Sequence, residues 1–329
     1  MAKHSTKFDI ISIGDATLDT FVRVSEASVL CDVNREACLL CFNYADKIPI
    51  ERLDRTAAGN AANNAVGSSR LGMKAAFYSV IGDDEIGHLI YSTMRVERVA
   101  TDYLQVDPKN ESNYSVVLSY KGERTILVYH APRVYRLPEM APSKWVYYTE
   151  IGENHEKLET RILAYIKKTN AKLAYNPGTG QIREGIERMK RILIETEVLF
   201  VNKQEAEKLA GRLGGIPALA AALREYGPKI VVITDGPRGA YVYDGRHTHS
   251  IGVFPVKVVE MTGAGDAFAT GFITALHYGK PVYEALRWGS ANSTGVIMQI
   301  GPQAGLLTRI GMQKMLKRFA RIKATEMRV

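Results

Sequence analysis

Short β-branched or aromatic runs alternate with helical patterns along most of the chain, and this rhythm leaves few folds open. The predicted strands are Phe8–Gly14, Ala75–Ile81, Trp145–Ile151, Lys172–Asn176, Val198–Asn202 and Ile230–Thr234. The predicted helices between them are Asn60–Leu71, Glu85–Val99, Glu156–Thr169, Arg183–Ile194, Lys203–Ala210 and Ala218–Tyr226. Because strands that alternate with helices usually pair in parallel, we predict an α/β fold with helices on both faces of a mainly parallel sheet.

Two segments break this rhythm. Leu18–Asp54 and Asn113–His130 read as strands without helices between them, and Lys121–Gly122–Glu123 has the composition of a hairpin turn. We interpret them as a small β-rich lid, formed by inserts at approximately 18–54 and 113–130. The 329 residues are enough for one large domain over 1–329 that carries this lid. A further hairpin is predicted at Gly239–Asp244 and Arg246–Phe254.

Composition places the chain among ordinary globular proteins, with 46% hydrophobic and 24% charged residues. No run of 18 apolar residues appears and the first residues lack an apolar signal core, so we expect a cytoplasmic protein without a membrane partner. The three cysteines, Cys31, Cys38 and Cys41, are too few for a disulfide framework. No histidine lies near them to complete a zinc site, and ordinary packing is the expectation over metal or redox use.

The net charge of +8 is concentrated near the carboxyl end. Arg309–Val329 holds seven basic residues and one acidic residue, and its apolar residues recur at helical spacing. We therefore expect an amphipathic helix that docks its apolar stripe and leaves a solvated basic face, with no nucleic-acid partner. A nucleic-acid binder remains the alternative. It predicts salt-dependent affinity that disappears when Arg309–Val329 is removed, with the fold intact.

The most informative segment is Met261–Phe268, which reads MTGAGDAF and precedes an apolar helix. The backbone N–H groups of Gly263, Ala264 and Gly265 can converge on one anion, and the helix dipole adds positive potential there. Asp266, on the first helical turn, would repel a phosphate unless it has another task. Accepting the proton of a nucleophilic hydroxyl is such a task, and a plain helix cap is the alternative.

This segment, together with the Ala-Gly-Asn-x-x-Asn run that starts at Ala58, resembles the two signatures of the ribokinase-like (PfkB) family of carbohydrate and nucleoside kinases. Further segments similar to the family follow in its order: Gly14 to Asp19, Gly82-Asp83-Asp84, Asn202 to Glu205 and Thr234 to Gly239. The resemblance implies a three-layer α/β/α domain with a small β-sheet lid. It also implies transfer of the γ-phosphate of ATP to a hydroxyl of a ribose-like, fructose-like or sugar-acid acceptor.

The resemblance also implies residue roles. Asp266 would be the general base, and the backbone of 263–265 would form the anion hole, so that positioning and charge neutralisation dominate catalysis. Asn202 and Glu205 match a motif that organises Mg²⁺ and phosphates, with Glu205 reaching the metal through water. On the residues alone, a capping box is an equally good interpretation of that pair. The nucleotide would lie along Thr234, Gly236 and Gly239. Adenine would lie against the helix that carries Asn292.

For the acceptor, the resemblance implies contacts from Asp19, Gly59, Asn60, Asn63 and Glu150. Strand-end and helix-cap roles are the alternative for these polar groups. Asp15 is nearby, but the register favours Asp19, which follows the first strand where parallel-sheet sites open. Glu260 stands where many relatives carry an Asp that helps to hold a monovalent cation, so a K⁺ requirement stays open.

Three alternatives remain beside a sugar kinase. A nucleoside kinase of the same family is one, since Tyr129 or His130 in the lid has a ring that can stack on a base and Arg133 can meet an anionic group. A regulator without catalysis is another, although the intact Asp266 argues against it. A dinucleotide oxidoreductase is disfavoured, because Gly14–Asp19 is not G-x-G-x-x-G. Exposed lid edges further suggest a homodimer through the lid.

Overall fold

The computed structural model describes residues 7–32, 38–121 and 123–327. The strands are β1 (Phe8–Ile13), β2 (Thr17–Val24), β3 (Ser28–Cys31), β4 (Cys38–Cys41), β5 (Ile50–Ala58), β6 (Ala75–Tyr78), β7 (Val80–Gly82), β8 (Gln105–Asp107), β9 (Asn113–Tyr120), β10 (Glu123–Tyr129), β11 (Ser143–Tyr148), β12 (Lys172–Tyr175), β13 (Thr196–Asn202), β14 (Ile230–Thr234), β15 (Ala240–Tyr243), β16 (Thr248–Ile251) and β17 (Thr325–Met327).

The α-helices are α1 (Asn60–Arg70), α2 (Glu85–Val96), α3 (Glu156–Thr169), α4 (Thr179–Glu184), α5 (Ile186–Leu193), α6 (Lys203–Ala210), α7 (Ile216–Glu225), α8 (Ala264–His277), α9 (Val282–Ile297) and α10 (Arg309–Arg318). A short 3₁₀ helix lies at Gly236–Arg238. The predicted helix over Arg183–Ile194 is divided, because the backbone of Gly185 has a φ of 87° that an α-helix does not allow.

The central sheet has the order β17-β16-β15-β14-β13-β12-β11-β1-β6. Neighbouring strands from β6 to β14 pair in parallel, and β15, β16 and β17 continue the sheet in the antiparallel sense. Alternate residues of β1 face opposite layers of helices: Ile10 packs with α1, α8 and α9, and Ile11 packs with α3, α5 and α7. The α/β prediction is confirmed, and burial on both faces explains why the parallel strands are almost continuously apolar.

A second sheet of four strands has the order β10-β9-β2-β5. Strand β2 pairs antiparallel with β5 and parallel with β9, and β9 pairs antiparallel with β10. These strands arise from the two segments in which the sequence predicts strands without helices. We call this the small sheet. Gly122, at the predicted hairpin turn, lies outside the described residues, and the division into one domain with a lid stays a proposal.

The cysteines depart from expectation. In the β3–β4 ribbon Cys31 lies opposite Cys38, and the two form a disulfide, while Cys41 has a free thiol. The expectation of ordinary packing is therefore wrong for Cys31 and Cys38, because antiparallel register brings residues from the two strands face to face. Within residues 7–32, 38–121 and 123–327 no cluster of three or more His, Cys, Asp or Glu side chains is arranged to hold a metal ion.

The basic carboxyl-terminal segment is integral to the fold. Met312 on α10 is fully buried, and the ring of Phe319 lies 4.9 Å from that of Phe254. Arg287 of α9 donates hydrogen bonds to the carbonyls of Leu316, at 2.7 Å, and Ile322, at 3.0 Å. The predicted amphipathic helix is thus present but shorter than expected: it ends at Arg318, and Thr325–Met327 forms the edge strand β17 of the central sheet. Removing Arg309–Val329 would therefore not leave the fold intact. None of the helices in the described part of the chain has the length and apolarity to cross a membrane.

Candidate functional site

The loops that follow several parallel strands meet at one edge of the central sheet. Glu150 follows β11, Asn202 ends β13 and Thr234 ends β14, so all three lie at the carboxyl ends of their strands. Ligands of open α/β sheets bind outside this edge, because the chain leaves the strands in divergent directions there. Two cavities occupy this edge, and the segment from Met261 to Asp266 lies between them.

This separating segment turns sharply into α8. Gly263 precedes the helix with a φ of 78°, and a Cβ there would lie 2.3 Å from Cβ of Pro302, so only glycine fits. The N–H of Ala264 donates to the carbonyl of Met261 at 3.2 Å. Other N–H groups of the first turn of a helix have no partner within the helix and lie at the positive end of its dipole. The segment can therefore stabilise negative charge between the two cavities.

Asp266 lies in this first turn and is almost completely buried. The side-chain amide of Asn63 donates a hydrogen bond to Oδ2 of Asp266 at 2.8 Å. Burial raises the pKa of Asp266 to about 7, and the nearby charges of Glu150, Asp19 and Glu205 act in the same direction, against the hydrogen bond from Asn63. A carboxyl group with a pKa near neutrality is well matched to accept a proton from a hydroxyl at physiological pH.

The first cavity, of about 170 Å³, lies beneath the small sheet, and we call it the acceptor pocket. Alternate residues of three strands point into it from one face of that sheet, as the two-residue period of a strand requires. These residues are Thr17 and Asp19, Asn113 and Ser115, and Ile126, Val128 and His130. The opposite wall brings together Gly59, Asn60, Asn63, Glu150, Thr262, Gly263 and Asp266. Asp19, Gly59, Asn60, Asn63 and Glu150, which the sequence predicts as acceptor contacts, thus share a pocket with Asp266.

Two buried aspartates line this pocket beside Asp266. Burial raises the pKa of Asp19 to about 7, with a contribution from Glu260 and against a hydrogen bond from Ser115. Burial likewise raises the pKa of Asp15 to about 6. The hydroxyl of Tyr135 lies 3.0 Å from both carboxylate oxygens of Asp15. The structure therefore brings Asp15 and Asp19 into the same pocket, although the sequence favoured Asp19 alone.

Gly59 makes the close approach between α1 and the first strand possible. Its φ is 108°, and a Cβ on Gly59 would lie 2.4 Å from the carbonyl oxygen of Asp15. The next residue, Asn60, begins α1 and donates to Oγ1 of Thr149 at 3.4 Å. The AGN run is therefore used in part to fold the pocket wall against the end of β1.

The second cavity, of about 290 Å³, is mostly apolar, and we call it the nucleotide cavity after the role that the sequence predicts for part of its lining. It includes Thr234, Gly236 and Gly239, for which the sequence predicts nucleotide contacts, with Ala264 and Gly265 on the side of the separating segment. Apolar side chains complete its wall: Val253, Phe254, Pro255, Val256, Phe268 and Ile297. An apolar cavity with a few polar groups in its lining suits an aromatic base.

Asn292 lies elsewhere. Its amide is fully buried, donates to the carbonyl of Ala267 at 2.8 Å and accepts from the N–H of Leu307 at 3.0 Å. The helix that carries it does contribute to the nucleotide cavity, through Ser290, Ser293, Thr294 and Ile297. The next residue of α9, Ser293, lines the cavity in place of Asn292.

Asn202 and Glu205 form a capping box at the start of α6. The side chain of Asn202 accepts from the N–H of Glu205 at 2.9 Å, and Oε2 of Glu205 accepts from the N–H of Asn202 at 2.8 Å. Burial and the charge of Glu150 raise the pKa of Glu205. Carboxylate oxygens such as those of Glu205 and Glu150 suit Mg²⁺, which prefers oxygen ligands and retains water. The capping role therefore leaves the second oxygen of Glu205 for a hydrated cation.

Glu260 is satisfied by protein groups. Each of its carboxylate oxygens accepts from the N–H of Thr262 at 2.9 Å, and Oε1 also accepts from the Thr262 hydroxyl at 2.7 Å. Nη1 of Arg124, on strand β10, lies 3.2 Å from Oε1 of Glu260. A monovalent cation held by the Glu260 carboxylate does not fit this arrangement, because the guanidinium group of Arg124 already pairs with that carboxylate.

The three residues singled out near the end of β10 have different positions. His130 lines the acceptor pocket, with Nδ1 3.9 Å from Oδ2 of Asp15. Tyr129 is about half exposed and belongs to neither cavity. Arg133 is buried and paired with Asp107 at 3.2 Å, so its guanidinium holds the protein together and does not face a substrate.

Residues that sequence reasoning missed come mainly from the small sheet. Asn113 and Ser115 enter the acceptor pocket because β9 pairs in parallel with β2, which sets Ser115 opposite Asp19. Gln303 donates to the side chain of Asn63 at 3.1 Å. Long-range strand pairing and contacts over 240 residues leave no periodic signal in the sequence.

Comparison with known proteins gives a consistent result. The family described as pfkB family carbohydrate kinase matches residues 23–309. Ribokinase of Haemophilus influenzae is 29% identical over 265 residues, which span 76% of this chain and 84% of that protein. The 5-dehydro-2-deoxygluconokinase of Lacticaseibacillus casei is 27% identical over 318 residues, which span 89% of this chain and 91% of that protein.

Solved structures share the fold. Arabidopsis thaliana ribokinase complexed with ribose and ATP matches with a TM-score of 0.77 and 21% identity over 94% of this chain and 98% of that chain. A Burkholderia thailandensis nucleoside kinase in complex with inosine matches with a TM-score of 0.75 and 17% identity over 94% of this chain and 99% of that chain. The ribokinase-like fold with its small sheet, implied by the sequence motifs, is therefore confirmed.

Proposed function

Because the chain belongs to the pfkB family of carbohydrate kinases, we propose that it transfers the γ-phosphoryl group of ATP to a hydroxyl of a small neutral sugar. One observation carries the proposal. The segment Met261–Asp266 separates an apolar cavity suited to a base from a polar pocket suited to a polyol, and Asp266 faces the polar side. A phosphoryl group that passes between the cavities would meet the N-terminus of α8.

In this proposal Asp266 accepts the proton of the attacking hydroxyl as the new P–O bond forms and the bond to ADP breaks. The start of α8 at Gly263, Ala264 and Gly265 stabilises the charge on the transferring group through the helix dipole and the N–H groups of Gly263 and Gly265, whereas the N–H of Ala264 already donates to the carbonyl of Met261. Little covalent help from the protein is needed, because phosphoryl transfer depends mainly on positioning and on electrostatic stabilisation. The pKa of Asp266, raised to about 7, supports its role as a base.

The proposed acceptor is an uncharged sugar of ribose or fructose size. Four carboxyl groups line the acceptor pocket, from Asp15, Asp19, Glu150 and Asp266, and no Lys or Arg of the described residues contributes to its lining. Carboxylates accept hydrogen bonds from sugar hydroxyls but repel a sugar acid or a phosphosugar. The volume of about 170 Å³ is below the usual range for ligand pockets, which favours a monosaccharide over a nucleoside.

ATP and Mg²⁺ are the proposed cofactors. The apolar walls of the nucleotide cavity would hold adenine, with Thr234, Gly236 and Gly239 along the nucleotide. Glu205 and Glu150 would hold Mg²⁺ through water, while Asn202 keeps Glu205 oriented. When bound, Mg²⁺ neutralises charge on the phosphate oxygens. The residues do not support a K⁺ requirement, since Arg124 already faces Glu260.

The small sheet is proposed to be a lid and a dimer contact. It covers the acceptor pocket from one side, so its closure would exclude water from the transfer. Strands β10 and β5 are its two edges, and apolar residues such as Leu127 and Leu53 are about half exposed there. A second copy that pairs with this sheet would cover both the edges and the apolar residues. A cytoplasmic location stays a prediction.

The test is ADP release from Mg·ATP over pentoses, hexoses, sugar acids, phosphosugars and nucleosides, with Asp266→Asn as the control. We expect turnover on one neutral sugar and its loss by roughly 10²–10⁴-fold in Asp266→Asn. Preference for a nucleoside would favour the second candidate, which the match to an inosine-bound nucleoside kinase supports. ATP binding without turnover on any acceptor would contradict the proposal and favour a non-catalytic regulator.

A further inference from the structure

A buried chain of hydrogen bonds connects Asp266 to the loop before α10. Nε2 of Gln303 donates to Oδ1 of Asn63 at 3.1 Å, and Nδ2 of Asn63 donates to Oδ2 of Asp266 at 2.8 Å. All three side chains are at least 94% buried: Gln303 is 5% exposed, Asn63 3% and Asp266 6%. Gln303 does not line the acceptor pocket, so it reaches Asp266 only through Asn63.

The direction of these hydrogen bonds matters because a side-chain amide has an N–H₂ end that donates and a carbonyl end that accepts. Asn63 can present either an N–H donor or a carbonyl oxygen to the carboxyl group of Asp266. A donor favours the ionised carboxylate, whereas a carbonyl oxygen requires a proton on Asp266 to form a hydrogen bond. Since Oδ1 of Asn63 accepts from Gln303, its Nδ2 is the end that faces Asp266.

Gln303 is itself held firmly. The main-chain carbonyl oxygen of Gln303 accepts from Nη1 of Arg70 at 2.6 Å and from the N–H of Leu306 at 3.2 Å. Arg70 is fixed in turn by two hydrogen bonds to Glu97, at 2.9 and 2.6 Å. The donor of Gln303 thus approaches Asn63 from a backbone position that the side chains of Arg70 and Glu97 and the N–H of Leu306 determine together.

We propose that Gln303 is a positioning residue for the general base: it fixes the orientation of the Asn63 amide and so favours the ionised form of Asp266. This rests on the proposed function, in which Asp266 accepts the proton. Asn63 also lines the acceptor pocket, and its second N–H remains directed away from Gln303. A role in simple core packing would require only the shape of Gln303, not its donor.

Two substitutions separate these roles. Gln303→Met keeps the shape and removes the donor. Gln303→Glu replaces the donor by an acceptor, which favours an Asn63 amide turned with its carbonyl toward Asp266. Since a net hydrogen bond is worth about 1 kcal/mol and one pH unit about 1.4 kcal/mol, Gln303→Met should move the rising limb of the pH–kcat profile upward by roughly half to one unit. Gln303→Glu should move it further.

The KM values for sugar and ATP should change less than about twofold, because Gln303 touches neither cavity. In an Asn63→Ala background, Gln303→Met should cause no further shift, since its effect passes through Asn63. Thermal unfolding of each variant checks that it folds, and if Gln303→Glu does not fold, Gln303→Met carries the test.

An unshifted profile in Gln303→Met would overturn the proposal. So would an equal shift in the Asn63→Ala background, which would indicate an effect through space. These outcomes differ from failure of the proposed function, in which Asp266→Asn would itself retain activity. Loss of activity in Asp266→Asn with an unshifted Gln303→Met refutes only the positioning role.

Discussion

Nη1 of Arg124 lies 3.2 Å from Oε1 of Glu260. This ion pair joins the small sheet to the segment that separates the two cavities, because Arg124 belongs to β10 and Glu260 binds Thr262 through both carboxylate oxygens. Glu260 is largely buried, with 12% of its side chain exposed, whereas Arg124 is 34% exposed. A movement of the small sheet would therefore displace Glu260 and, with it, Thr262, which lies next to the start of α8.

We predict that Arg124→Gln lowers kcat by roughly three- to tenfold, as expected for a partly exposed ion pair that positions Thr262. Arg52→Gln is the matched control, since Arg52 and Arg124 both line a third cavity, beside the small sheet, but Arg52 pairs with Asp54. Wild-type rates in KCl and in tetramethylammonium chloride at equal ionic strength should agree within about twofold. Strong activation by K⁺ would show that Arg124 does not occupy the cation's position.

The pH dependence of turnover should report Asp266. Because its pKa is raised to about 7 and the base must be ionised, activity should rise as the pH increases through about 7 and level off above it. Asp266→Asn removes the titrating group, so its residual activity should lack this limb. Values of kcat/KM for the sugar between pH 5 and 9, which report groups of the free enzyme, provide the measurement, and an unchanged limb in the variant would assign it to another group.

Asp266 should also reduce the stability of the unliganded protein. Its pKa is about 7 when folded and 3.8 ordinarily, so the folded state binds more protons between these values and stability falls as the pH rises from 4 to 7. Above pH 7 the buried charge remains as a constant cost. Asp266→Asn should therefore raise Tm more at pH 8 than at pH 4.5. An equal change in Tm at both values would contradict this assignment.

Gly59→Ala should destabilise the protein by more than about 1 kcal/mol, because the residue has a positive φ and its Cβ would meet the carbonyl of Asp15. Gly180→Ala is the control. Gly180 lies on α4 with open space around it, and alanine there should be neutral or stabilise by up to about 1 kcal/mol. Urea unfolding of both variants measures the difference, and equal stabilities would argue against a tight approach at Gly59.

The proposed dimer predicts a mass of twice 36.4 kDa by light scattering. Leu127→Glu places a charge on the exposed side of β10 and should shift the protein to monomers. Ile194→Glu, at an equally exposed apolar residue outside the small sheet, should leave the mass unchanged. A monomeric wild type at assay concentration would exclude the dimer.

The central sheet was predictable because each parallel strand is buried on both faces and is flanked by helices with clear apolar periodicity. Phe8–Ile13, Lys172–Tyr175 and Ile230–Thr234 differ from prediction by at most one residue. The small sheet was predictable only as strand-like segments. Its order pairs β2 in parallel with the distant strand β9, with Asp19 opposite Ser115, and no local signal encodes such a pairing.

The candidate site divides in the same way. Asp266 and Gly263 stand in a contiguous motif whose backbone geometry and charge can be reasoned out from the sequence. Asn292 was assigned to the correct helix but to the wrong face, because α9 is buried on nearly all sides and offers little amphipathic contrast. The disulfide between Cys31 and Cys38 depends on the register of a ribbon that composition alone does not fix.

The acidic lining of the acceptor pocket has a consequence for the end of the catalytic cycle. Under the proposed function, a neutral sugar that enters among Asp15, Asp19, Glu150 and Asp266 would leave as a phosphate ester. The carboxyl groups that hold the hydroxyls of the substrate would then repel the two negative charges of the product. We therefore expect the phosphorylated sugar to dissociate readily and to be a poor inhibitor, so that turnover continues as it accumulates.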